Sequence, residues 1–181
     1  PWQLLVDDIR YSSLALSWIP PVAKLSDYQL TYSSAEQRRE RRALSYVTLP
    51  GDIATYWLHG LVPATQYTIS LTAVSRFGRS ETIDLTATTS TDPPTELKVK
   101  TVSSSWLHVV WTPPVAAVIS YDLTVTDDTS QEKIHLSISP AEMELNITEL
   151  FPITKYIIRI EAVSMYGRSA EVMCFGTTGM L

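Results

Sequence analysis

The sequence predicts an all-β chain built as two tandem seven-stranded antiparallel sandwiches. Three observations carry that expectation. Valine, isoleucine and threonine number 14, 13 and 21 among 181 residues, and β-branched side chains suit a pleated surface better than a helix. Apolar and polar positions alternate at period two through short runs bounded by turn residues. The chain also repeats itself. SLALSWIPP (Ser13 to Pro21) returns as WLHVVWTPP (Trp106 to Pro114) at an offset of 93, and LVPATQY (Leu61 to Tyr67) returns as LFPITKY (Leu150 to Tyr156) at an offset of 89. A unit of about 90 residues is the size of one small sandwich.

Taken in order, the first copy opens with a strand in which Leu14, Leu16 and Trp18 share one face and Ala15 and Ser17 the other. DYQLTY, with Tyr28, supplies the next strand. An insertion follows that holds QRRERRA and accounts for four residues the second copy lacks. Tyr67, Ile69 and Leu71 then alternate inward, and LTAVSRFGRS ends that strand in a turn. The second copy repeats each step with Leu107, Val109 and Trp111, then Tyr121, then Tyr156, Ile158 and Ile160, then IEAVSMYGRS. The join reads TTSTDPPTELKV. Pro93 and Pro94 cannot continue a sheet ladder, so the expected domains are residues 1–91 and 92–181. Two prolines and no glycine make this a stiffer link than a glycine-serine tether. An odd number of antiparallel strands puts the chain ends at opposite poles, so a rod is expected, each copy about 30 Å long.

The Trp and Tyr landmarks, the twice-met L-x-P-x-T-x-Y segment and the A-V-S-x-aromatic-G-R-S segment resemble tandem fibronectin type III domains, an immunoglobulin-like sandwich. The spelling is similar to repeats of tenascin- and fibronectin-like matrix and cell-surface proteins. The resemblance implies that Tyr67 and Tyr156 are tyrosine corners, whose hydroxyls bond backbone upstream. It implies an extracellular, noncatalytic adhesion or spacer module in a longer matrix or adhesion protein, either secreted or part of an ectodomain. Its partners would be extracellular proteins, sulfated polysaccharide and neighbouring domains of the same chain. The alternative is an ectodomain fragment of a cell-surface signalling receptor. The turns SRFGRSE and SMYGRSA lack RGD, which gives no support to integrin recognition there.

The residues themselves exclude several classes. The longest apolar run is five residues, Val115 to Ile119, far short of a bilayer crossing, so direct membrane insertion is not expected. Fourteen basic against 19 acidic residues give a net charge of −5, which argues against nucleic acid as a partner. His59, His108 and His135 sit in no metal or catalytic motif, and the six glycines form no phosphate loop. No catalytic residue, cofactor or metal is expected. Cys174 lies on the inward parity of the last strand and reads as a core thiol.

Three features remain as candidate sites. Asn146, in Asn146-Ile147-Thr148, has outward parity opposed to Met143, Leu145 and Ile147, and is an N-glycosylation acceptor in a secreted protein. Arg38, Arg39, Arg41 and Arg42 crowd the insertion, where an exposed loop could bind sulfated polysaccharide; R-x-R-R also resembles a furin-type processing site. Residues 1–90 hold 8 basic and 8 acidic residues against 6 and 11 in 91–181, so this basic cluster is local. Finally, Trp57 and Trp106 fall outside the inward set, and Ile157, Met173 and Phe175 share the outward parity of Arg159. Contiguous apolar surface of this kind marks a partner site.

Overall fold

The structure is a computed structural model and describes residues 1–40 and 43–180. It divides into two compact units, Pro1–Ser90 and Thr91–Leu181. The first holds β1 (Trp2–Ile9), β2 (Ser13–Ile19), β3 (Asp27–Ser34), α1 (Ala35–Arg39), β4 (Ser45–Pro50), β5 (Thr55–His59), β6 (Gln66–Ser75), β7 (Gly78–Arg79) and β8 (Ile83–Thr88). The second holds β9 (Thr95–Val102), β10 (Leu107–Thr112), β11 (Val118–Asp127), β12 (Lys133–Ile138), β13 (Glu144–Ile147), β14 (Lys155–Ser164), β15 (Gly167–Arg168) and β16 (Val172–Thr177). Seven principal strands per unit are joined by a two-residue strand that only closes the turn after β6 or β14.

Each unit is a sandwich of two antiparallel sheets. In the first, β1-β2-β5 faces β4-β3-β6, with β7 and β8 also pairing with β6; in the second, β9-β10-β13 faces β12-β11-β14, with β15 and β16 on β14. Period-two patterning dictates the interior: Leu14, Leu16, Trp18, Tyr28, Leu30, Ile69 and Leu71 fill the first core, and Leu107, Val109, Trp111, Tyr121, Leu123, Ile158 and Ile160 the second. Both tryptophans are buried and meet the partner tyrosine edge-on, Trp18 with Tyr28 at 5.2 Å and Trp111 with Tyr121 at 5.5 Å between ring centroids. Such tilted contacts suit the ring quadrupoles.

The crossing between sheets is locked identically in both units. The Tyr67 hydroxyl accepts from the Val62 N–H at 2.9 Å, and the Tyr156 hydroxyl accepts from the Phe151 N–H at 2.9 Å. A threonine completes each lock. Thr89 Oγ1 donates to the Val62 carbonyl at 2.7 Å and accepts from the Thr65 N–H at 3.0 Å. Thr178 does the same with Phe151 and Thr154, at 2.6 Å and 3.0 Å. In the same turns Ala64 and Ile153 take positive φ, 46° and 54°, a conformation that crowds any Cβ and a branched one most.

Two expectations need correction. The basic insertion is not all loop, because Ser34-Ala35-Glu36-Gln37 is a capping box: Ser34 Oγ accepts from the Gln37 N–H at 3.1 Å while Gln37 Oε1 accepts from the Ser34 N–H at 2.9 Å. That reciprocal pair starts the one-turn helix α1. Met143 is exposed rather than inward, since it precedes β13 and escapes the parity of Leu145 and Ile147.

Candidate functional site

The inward chemistry is structural. Cys174 is a free, half-buried thiol packed against the second core, and burial raises its pKa, which keeps it protonated and a poor nucleophile. Burial likewise raises Tyr67, against a smaller lowering by the Val62 N–H. Among the described residues, no group of three or more His, Cys, Asp or Glu side chains could hold a metal ion.

The outward candidates differ in how far their own neighbours occupy them. Arg38 and Arg39 lie on α1 and are exposed, but the Arg38 Nε donates to Ser33 Oγ at 2.9 Å. Arg41 and Arg42 lie outside the described residues. Asn146 is exposed on β13, the edge strand of its sheet, directly across from His108. Its parity comes from the buried Ile147 beside it.

Trp57 is 36% exposed and sits opposite Ala15 on β2. Its ring is covered from within the unit: the Arg10 guanidinium lies 4.6 Å from its centroid, and His59 stacks on it at 5.9 Å and 14°. Asp8 holds that guanidinium at 3.1 Å. Trp57 and His59 are i, i+2 neighbours on one face of β5, so their stacking is local, whereas Arg10, just after β1, comes from a distant segment and is the member the sequence hides. Trp106 is half-buried in the turn before β10, not on an open face.

The outer face of the second unit is more open. Register places Ile157 opposite Phe175 and Arg159 opposite Met173. Met173 and Phe175 are each 53% exposed. Lys155 Nζ lies 4.9 Å from the Phe175 ring and 3.1 Å from Asp128 Oδ2. A second charged group occupies the same sheet nearer its pole, where Arg168 binds both Asp122 and Glu161. Those carboxylates raise the guanidinium pKa, so the arginine is a fixed charge.

Paired sandwiches with polar chemistry invested in turns and with variety confined to outer faces define a class: tandem antiparallel β-sandwich modules. The chain belongs to the fibronectin type III family, whose domain model matches residues 1–88 and 92–173. It is 33% identical to tenascin of Gallus gallus over 182 residues, all of this chain and 10% of that protein. It is also 29% identical to the collagen alpha-1(XX) chain of Homo sapiens, over 98% of this chain and 14% of that one. A solved two fibronectin type-III domain segment from chicken tenascin superimposes with a TM-score of 0.75 at 26% identity, covering 98% of this chain and 99% of that segment. The chain thus spans about a tenth of the length of these curated relatives. Tenascins and this collagen are extracellular matrix proteins, and the chain is extracellular. No helix among the described residues is long and apolar enough to cross a membrane.

Proposed function

We propose that the chain is a noncatalytic adhesion and spacer pair that presents protein-binding surfaces within a longer matrix protein. The observation that carries this reading is the division of labour inside each unit. Tyrosine, threonine and serine side chains close the same turns in both copies, whereas the outward residues differ. A rigid sandwich with a variable exterior is a scaffold for recognition. The partners are extracellular proteins and the neighbouring domains of the parent chain, in keeping with the tenascin-like family membership. Ile157, Met173 and Phe175 form the favoured contact surface. Trp57, already held by Arg10 and His59, is a weaker one, and half-buried Trp106 weaker still.

Asn146 carries an N-glycan in this reading, since the acceptor is exposed on an edge strand; a glycan there also shields backbone groups from pairing with another sheet. Polysaccharide binding by the arginine insertion is disfavoured: Arg38 is engaged with Ser33, and Glu36 and Glu40 are interleaved. The test is cell attachment to the intact chain coated on an inert surface. Phe175→Ser with Met173→Ser is expected to lower attachment and leave the melting temperature unchanged. Attachment that survives every outer-face change would overturn the presenting role. The denatured mass of chain secreted from mammalian cells, before and after N-glycan removal, tests Asn146: an unchanged mass rejects the glycan.

A further inference from the structure

Thr126 poses a problem that the family fold does not solve. It has outward parity on β11, yet it is only 2% exposed, and its hydroxyl has no hydrogen-bond partner. Apart from the two core Trp–Tyr pairs, it is the sole residue among those described with such a buried side-chain atom. A buried hydroxyl without a partner costs stability. The matching hydroxyl of the first unit, Ser33, accepts from Arg38 of α1, and no helix follows β11 in the second unit.

Thr126 lines a cleft of about 310 Å³ in the outer face of the sheet, together with Lys133, His135, Ile157, Arg159 and Glu171. Register explains the grouping. One row across the sheet runs His135, Thr124, Arg159, Met173, and the next runs Lys133, Thr126, Ile157, Phe175. Short threonines on the central strand, with longer side chains on both flanking strands, make a trough. With strands about 4.8 Å apart, the flanking rows stand about 10 Å from one another, wide enough for one extended segment. Arg159 Nε reaches Glu171 Oε2 only at 3.9 Å, and His135 Nδ1 shares a contact with Thr124 Oγ1 at 3.2 Å.

The first unit provides an internal control. Register assigns Tyr46, Ser70, Thr68, Asp84 and Thr86 to the slots of His135, Arg159, Ile157, Met173 and Phe175. The fold therefore demands neither a cation nor an apolar group at these slots. The second unit gathers them although it has 6 basic residues against 11 acidic ones.

We infer that this cleft binds a carboxylate side chain of an extended protein partner, with an apolar neighbour of that side chain seated on Ile157 and Phe175. The inference deepens the protein-presenting role proposed above and rests on it. Lys133 and Arg159 provide charge-assisted donors, and the Thr126 hydroxyl, which has no partner within the chain, supplies a third. A local pair of cations within an acidic unit matches one or two carboxylates better than a polymer bearing many sulfates, because the surrounding field repels the latter.

The test is amide NMR of the full two-unit chain with acetyl-Glu-Phe-Glu-amide, its Gln-Phe-Gln counterpart and a heparin tetrasaccharide. Saturable shifts are expected at Thr124, Thr126, Lys133 and Arg159 with the glutamate peptide and not with the glutamine one. Arg159→Gln and Lys133→Gln should each weaken binding about tenfold. Thr126→Val should weaken it while melting no lower than the parent, a signature that a purely structural threonine lacks. Equal response to both peptides, no response at the cleft, or cleft binding by the oligosaccharide alone overturns the inference. If attachment to coated chain still depends on the outer face in that case, the presenting role stands without the carboxylate cleft.

Discussion

Trp18 and Tyr28 in the first unit repeat as Trp111 and Tyr121 in the second, with centroid distances within a few tenths of an ångström and interplanar angles of 68° and 67°. Ser80 and Ser169 close the turn after the long central strand alike, accepting from the Ala73 and Ala162 N–H at 3.0 Å and 2.9 Å. The outer faces part company. Where the second unit sets Asp122, Glu161 and Arg168 in an ion-paired group, the first has Gln29, Thr72 and Arg79, with Thr72 bonded to Thr82. The two copies show which residues make the sandwich and which are available for another purpose, because whatever the fold needs has been kept in both.

The largest expected effect tests the shared interior. Trp18→Ala and Trp111→Ala should each cost about 3–5 kcal/mol, followed by denaturant unfolding, and each should shift only the transition of its own unit. A single common shift would break the picture of two separate cores. Next, Tyr67→Phe and Tyr156→Phe should each cost about 1–2 kcal/mol by leaving the Val62 or Phe151 N–H without its acceptor; unequal losses would mean that the two corners are not equivalent.

Smaller effects sharpen the contrast. Ile153→Gly should stabilise the second unit by about 1 kcal/mol, because a branched side chain at positive φ is crowded. Ala64→Gly should gain less, since alanine is the less crowded of the two. The smallest effect is a difference in pH response. Ser34 and Asp127 occupy matching positions at the ends of β3 and β11, and each accepts from N–H groups of the following turn. The Asp127 pKa is lowered by the Ser130 and Thr129 N–H groups. Its contribution is therefore present above the unfolded carboxyl value and lost as pH falls through the lower folded value. Asp127→Ser should flatten that part of the acid unfolding curve of the second unit and leave the first unit untouched.

Much of this architecture was legible in the sequence. Period-two runs around Trp18, Tyr67, Trp111 and Tyr156 placed the core, the family resemblance supplied the tyrosine corners, and each landmark has its twin in the other copy. The helix α1 has its signal in the sequence too, as Ser34 followed three residues later by Gln37, but a single capped turn lacks the apolar periodicity that marks a longer helix. The outer-face sites were less legible for a physical reason. Arg10 meets Trp57 from a different segment, and the Thr126 trough is assembled across three strands, so these partners are separated by turns and the register decides which side chains meet. Burial of an outward threonine depends on the length of its cross-strand neighbours, which alternation alone does not reveal.

The most direct measurement moves one face onto the other unit. Thr68→Ile, Ser70→Arg and Thr86→Phe in the first unit, combined with Ile157→Thr, Arg159→Ser and Phe175→Thr in the second, exchange the outer side chains while leaving both cores intact. Cell attachment and the two unfolding transitions are then read on the same protein. Expected is attachment that an antibody to the first unit now blocks and one to the second no longer does, with both transitions close to those of the parent. Attachment that remains with the second unit, or a sandwich that no longer unfolds cooperatively, would contradict the separation of a common interior from a functional exterior.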